Sequence, residues 1–130
     1  MRASSSRTAK RGTLSTADYE ALASFRYAVR RYLAFAEAGA RSVGLTTQQH
    51  QALLAIKVHS VSRPMSIGDL ASELLLKHHS TVELVGRLEK AGFTQKVVDV
   101  EDRRRALISL TPKGEGVLAD YDAIERAMRA

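Results

Sequence analysis

The stretch Asp99-Val100-Glu101-Asp102-Arg103-Arg104-Arg105-Ala106-Leu107-Ile108-Ser109-Leu110-Thr111-Pro112-Lys113-Gly114 decides how this chain folds. Ala106 to Leu110 is a short β-prone run, and Phe93-Thr94-Gln95-Lys96-Val97-Val98 upstream is a second. The seven residues between them, Asp99 to Arg105, are too charged for a core and read as the polar tip of a β-hairpin. Thr111-Pro112 then ends the strand and opens a helix, with a capping hydroxyl and proline at the first helical position. Val117, Leu118, Tyr121, Ile124 and Met128 carry that helix over residues 112–130.

Two short helices precede the hairpin. Ser66-Ile67-Gly68-Asp69 opens the first in the S-x-x-D manner, with Leu70, Ala71 and Leu74 on its inner face. Leu75-Leu76-Lys77 is a turn, and His78 to Ala91 is the second helix, closed by Gly92 in a position suited to a left-handed cap. Thr81, Leu84, Val85 and Leu88 recur at helical spacing and face the core, which leaves His78, His79, Ser80, Glu83, Gly86, Arg87 and Lys90 outside.

Further upstream, Thr46 and Gln49 have capping-box spacing at the start of a helix that ends near Ser60, and Arg63-Pro64-Met65 is an extended link. Thr16-Ala17-Asp18 supplies a capping hydroxyl and an early acid for one long helix over residues 16–42. Its apolar positions form two stripes: Leu22, the stem of Arg26, Val29, Leu33 and Ala36 on one face, and Phe25, Ala28, Tyr32 and Phe35 on its neighbour. One packing contact needs only one stripe, so a second partner surface is implied, and a second copy of the chain is its expected occupant.

Composition limits what this arrangement can be. The 130 residues, 45% hydrophobic and 26% charged, suit one domain with its own core. No apolar run approaches the roughly 18 residues a bilayer span needs, and Met1-Arg2-Ala3-Ser4-Ser5-Ser6 leads into no apolar signal core, so a cytoplasmic protein without a membrane partner is expected. The absence of cysteine removes disulfides, thiolate zinc sites and thiol redox switches. The net charge is +6, but Arg2, Arg7, Lys10 and Arg11 concentrate most of it in residues 1–14, read as a disordered basic arm. Any nucleic-acid reading of the remainder therefore rests on where particular arginines fall. The chain has no GxSxG, no glycine-rich phosphate loop and no HExxH. His50, His59, His78 and His79 lack the i, i+4 spacing of a helical zinc motif, so neither an enzyme, a metal site nor a cofactor is expected.

The fold class that follows is mainly α with a small β-hairpin (α+β): a winged helix-turn-helix with long N- and C-terminal helices. One domain over residues 15–130 would hold a DNA-binding lobe at about 46–111, flanked by helices at about 16–42 and 112–130. A helix fits the major groove of duplex DNA, its N-terminus favours phosphates, and arginines at a hairpin tip suit the narrow minor groove. The candidate DNA-binding residues are accordingly Lys77, His78, His79, Ser80, Thr81, Glu83, Arg87, Arg103, Arg104 and Arg105. For Arg87, an internal ion pair with Asp99 or Asp102 is slightly favoured over a phosphate contact.

The segments Leu70-Ala71-Ser72-Glu73-Leu74, Val85-Gly86-Arg87-Leu88-Glu89-Lys90-Ala91-Gly92-Phe93 and Asp99 to Gly114 together resemble the MarR family of winged-helix transcriptional regulators. The resemblance implies a bacterial or archaeal homodimer on a pseudo-palindromic double-stranded DNA operator, usually a repressor released by a small aromatic or anionic effector. It also implies that the helix His78 to Ala91 enters the major groove, that Arg104 reaches the minor groove, that Asp102 helps orient Arg104, and that the helices at about 16–42 and 112–130 form a dimerisation region; Asp99 and Asp102 are the candidate wing-orienting residues. Lys77-His78-His79 stands where many relatives carry a small or acidic cap, leaving Ser80 or a water as the expected one. Phe25, Arg26, Arg30, His50 and Lys57 are the candidate effector-binding residues. The competing reading is a winged-helix protein-interaction module without specific DNA binding.

Overall fold

The computed structural model describes residues 12–129. Arg2, Arg7, Lys10 and Arg11, with most of the expected arm, lie outside the described residues. The chain divides into two units between Ala36 and Glu37, a boundary inside the first helix, α1 (Thr16–Ser42).

In the first unit, α1 begins at a reciprocal cap. Ser15 Oγ accepts the Asp18 N–H at 3.1 Å, and the Asp18 carboxylate accepts the Ser15 N–H at 3.0 Å. The cap is thus Ser15 rather than Thr16, because only Ser15 stands three residues before the acid that closes the box. Tyr19, Leu22, Phe25, Tyr27, Val29, Tyr32 and Leu33 are all exposed along this helix.

The second unit holds α2 (Thr47–His59), β1 (Met65–Ser66), α3 (Ile67–Leu74), α4 (His78–Lys90), β2 (Thr94–Val98), β3 (Ala106–Leu110) and α5 (Pro112–Arg129). Its core is built on Leu53, Ile56, Met65, Leu70, Val85, Leu88 and Ile108, with the polar Thr81 fully buried among them. Both capping boxes expected from sequence form, Thr46 with Gln49 for α2 and Ser66 with Asp69 for α3.

The expected two-stranded hairpin is part of a three-stranded antiparallel sheet, ordered β1-β3-β2. The segment read as an extended link contributes β1, where Met65 pairs with Ile108 and Ser66 with Leu107. A residue before proline is already driven into extended backbone, so one neighbouring strand suffices to recruit the residues that follow.

The α3–α4 turn passes through Leu75 in the left-handed conformation, φ 57° and ψ 41°, with a side chain 92% exposed. Gly92, at φ 86°, ends α4 as the sequence suggested, and the Phe93 N–H reaches back to the Leu88 carbonyl at 2.9 Å. The start of α5 is fastened to this same turn. Thr111 donates its N–H to the Phe93 carbonyl at 3.0 Å and its hydroxyl to the Gly92 carbonyl, while its Oγ1 accepts the Gly114 N–H at 3.1 Å. Lys113 Nζ donates to the Ala91 carbonyl at 2.8 Å and lies 5.1 Å from the centre of the Phe93 ring. Among the described residues, no helix is long and apolar enough to cross a membrane.

Candidate nucleic-acid interface

Helix α4 presents one polar face because its other face is consumed by the core. Thr81, Leu84, Val85 and Leu88 are buried, and Lys77, His78, His79, Val82, Glu83, Gly86, Arg87 and Lys90 are exposed. Ser80 is half-buried. Thr81 takes no part in the outer surface: it is fully buried and its hydroxyl donates to the Lys77 carbonyl at 3.0 Å. Core spacing and membership of the reading surface competed at this position, and burial wins. Val82, at 47% exposure, takes a place on the outer face that the sequence reading left empty. Its spacing from His78, His79 and Gly86 carried the signal, but its apolar character hid it. An apolar side chain there suits the methyl group of thymine.

The N-cap of α4 is Lys77, in extended backbone, with no side-chain hydrogen bond to the first turn. Neither Ser80 nor an acid fills that role, so backbone N–H groups and the positive end of the helix dipole are open where an anion would approach. No acid stands in the first turn to compete for them.

The wing tip divides the three arginines by role. Arg104 is 91% exposed, and Asp102 holds it from two sides: Oδ1 accepts both its backbone N–H and its Nε–H at 3.1 Å, while Oδ2 lies 3.4 Å from Nη2. The side-chain hydrogen bond from Arg104, followed by its backbone bond, holds the Asp102 carboxyl below the ordinary carboxylate range. A guanidinium gripped through Nε projects its remaining N–H groups outward. Arg103 is exposed, whereas Arg105 is half-buried, its guanidinium 3.6 Å from Asp69 on α3.

Asp99 shapes the turn rather than binding a distant partner. Its carboxylate accepts the Glu101 N–H at 2.9 Å, and its N–H donates to the Arg105 carbonyl at 3.2 Å. The expected pairing of Arg87 with Asp99 or Asp102 does not form among the described residues. Asp102 is taken by Arg104, two residues away, and Arg87 stays on the exposed face of α4. A local loop closes at less entropic cost than a bridge between elements.

The five effector candidates fall into two hollows, one in each unit. Phe25, Arg26 and Arg30 line a hollow of about 370 Å³ on α1 with Leu22 and Val29. His50 and Lys57 line another of about 360 Å³ between α2 and α5, with Leu54, Leu118 and Tyr121. His50 is buried and stacked on Tyr121, ring centres 3.6 Å apart. Burial pushes its imidazole below the ordinary histidine range, against an opposing pull from Glu125. Lys57 is paired at 2.8 Å with Glu115. Among the described residues, no three His, Asp or Glu side chains gather as a metal site.

Residues 43–105 match the family model described as MarR family. BadR, a transcriptional activatory protein of Rhodopseudomonas palustris, is 40% identical over 82 residues, covering 61% of this chain and 47% of that protein. YcgE, an HTH-type transcriptional regulator of Bacillus subtilis, is 33% identical over 98 residues, covering 75% and 62%. The chain spans about half the length of the curated relatives it matches. Among solved structures, the MarR family regulator AbsC of Streptomyces coelicolor superposes with a TM-score of 0.77 at 20% identity, covering 88% of this chain and 77% of that one. The MepR–DNA complex of S. aureus superposes with a TM-score of 0.67 at 23% identity, covering 81% and 84%. At such identities the structural likeness speaks for the fold, and the family match speaks for the sequence. The family match thus lies with MarR, over residues 43–105, and the fold of the solved MarR-family structures agrees with it.

Proposed function

We propose that the protein is a sequence-specific, double-stranded DNA-binding transcriptional regulator acting as a homodimer on a pseudo-palindromic operator. One observation carries the reading: Arg104 is held outward by Asp102 at a wing tip, beside a helix whose N-terminus is uncapped and whose outer face is polar. Helix α4 enters the major groove, where Lys77, His78, His79 and Ser80 meet phosphates and base edges and Glu83 accepts from a cytosine amino group. Arg104 enters the adjacent minor groove, and Arg103 and Arg87 contact the backbone. The exposed apolar side chains of α1 support dimerisation, since contiguous apolar patches of this kind mark interaction surfaces. Two reading helices about 34 Å apart then fit successive major grooves.

Bound across a promoter, the dimer represses by occlusion. A small aromatic or anionic effector releases it by favouring a state in which the two helices no longer match that spacing. The hollow lined by His50 and Lys57 joins apolar walls to polar groups, but Glu115, Asp122 and Glu125 also line it, so it suits an aromatic effector, whereas the hollow on α1 with Arg26 and Arg30 suits an anionic one.

The test is a titration against the protein's own upstream intergenic DNA and a scrambled control at two salt concentrations, with Arg104→Ala in parallel. Specific binding that falls steeply with salt and weakens about 5- to 150-fold in the variant, equivalent to about 1–3 kcal/mol, supports the proposal. Equal binding to both DNAs, with no preferred sequence from a genome-wide selection, overturns it in favour of a protein-interaction module. A promoter-fusion reporter reads the sign of regulation, repression being the expected outcome.

A further inference from the structure

Three successive arginines at a DNA-facing tip invite a single role, but the contacts of Arg105 separate it from its neighbours. Its backbone closes the neck of the wing: the N–H donates to the Asp102 carbonyl at 3.0 Å, and the carbonyl accepts the Asp99 N–H at 3.2 Å. Its side chain turns away from the tip toward α3, where Nη2 lies 3.6 Å from Asp69 Oδ2, and both side chains are about 40% exposed.

Asp69 is itself fixed. The same Oδ2 accepts the Ser66 N–H at 3.1 Å, and the Asp69 N–H donates to Ser66 Oγ at 3.1 Å, so the carboxylate cannot swing without uncapping α3. Ser66 is also a residue of β1, paired in register with Leu107, two residues beyond Arg105. The first turn of the helix-turn-helix, the edge strand β1 and the wing neck thus meet at one carboxylate.

We infer that Arg105 is a positioning residue, which clamps the neck of the wing to α3 through Asp69 and so sets the angle at which Arg104 is presented. The inference rests on the DNA-binding reading for its consequence, but the clamp itself can be measured without DNA. The electrostatics agree with the geometry. The Ser66 backbone hydrogen bond is the largest of the influences holding the Asp69 carboxyl below its ordinary range, and Arg105 and Arg63 add to it. Nearby, a hollow of about 350 Å³ lined by Arg63, Asp69 and Glu73 leaves the pair partly hydrated, which keeps its strength in the range of a surface pair.

The experiment is a double-mutant cycle of Asp69→Asn, Arg105→Met and the two combined. Asn keeps a side-chain oxygen for the Ser66 N–H and removes the charge. In the free protein, amide exchange is followed at Asp99 and Arg105, whose N–H groups close the neck. Each single variant should speed both amides by roughly two- to five-fold, the range open to a partly exposed pair, and the combination should add nothing further. Exchange unchanged in the single variants, or accelerations that multiply in the combination, would overturn the clamp.

Against operator DNA, the combined variant should bind a few-fold more weakly with the salt slope of the parent. A slope shallower by about one unit would mean that Arg105 contacts a phosphate and would also overturn the inference. If the parent binds no DNA specifically while the exchange cycle still shows coupling, the clamp stands and the DNA-binding reading falls.

Discussion

Substituting Gly114 by alanine tests how the L-T-P-K-G segment holds the wing to α4. Gly114 is buried at the start of α5, and a Cβ there would fall well inside contact distance of the Phe93 carbonyl oxygen, with the carbonyl carbon 3.1 Å away. Backbone, unlike a flexible side-chain tip, cannot step aside. The obstructed carbonyl is also the acceptor of the Thr111 N–H, and Thr111 in turn bonds Gly92 and Gly114. Relieving the clash by moving α5 away stretches about two or three of these bonds, each worth about 1 kcal/mol net. The better helix propensity of alanine returns at most about 1 kcal/mol. A net loss of about 1–2 kcal/mol is therefore expected. Near the midpoint this lowers Tm by about 4–8 °C for a domain of this size. The matched control is Gly116→Ala, two residues along the same helix, where an added Cβ meets nothing within 4 Å. There, propensity acts alone and stability rises by about 0.5–1 kcal/mol. Urea unfolding followed by circular dichroism, at equal protein concentration, measures both variants. A Gly114→Ala protein as stable as the parent would refute the claim that this segment is held by backbone contact with the α4–β2 turn.

Because burial lowers the His50 pKa in the folded state, the unfolded chain binds the proton more readily. Stability conferred by neutral His50 is thus complete above about pH 6.5 and declines as pH falls toward the lowered folded value, so unfolding midpoints between pH 7 and pH 5 should fall in the parent. That slope should flatten in His50→Phe, which keeps a ring to stack on Tyr121; an unchanged slope would show that other groups carry it. Leu75→Gly removes an exposed side chain from left-handed backbone, and the relief of about 1–2 kcal/mol offsets the entropy cost of glycine. A gain of up to about 1 kcal/mol in urea unfolding is expected, and a clear loss would show that Leu75 makes contacts worth more than its strain. Gly86→Ala on the outer face of α4 meets nothing within 4 Å, so stability should rise by about 0.5–1 kcal/mol. A simultaneous drop in operator affinity, measured by the same titration as Arg104→Ala, would place that position against DNA.

What the sequence determined by itself was local and periodic. Thr46 with Gln49, Ser66 with Asp69, and Thr111 with Pro112 are relations within three residues, and the backbone realises them wherever a helix begins. Gly92 announced the end of α4 because left-handed backbone favours glycine, and the core face of α4 was legible because helical spacing fixes which side chains share a side. The charged tip between two β-prone runs was enough to place the wing. Tertiary structure decided everything that depends on elements distant in sequence. Pairing of Met65–Ser66 with β3, some forty residues on, made a third strand from an apparent link. The last of three identical arginines turned inward to Asp69 on α3. Composition cannot rank such choices, because each is a competition among polar groups settled by which backbone brings them within about 4 Å. Thr81 shows the same limit from inside: its spacing set it on the core face while its place in the first turn of α4 set it among the DNA-binding candidates, and only the packed core decided between them.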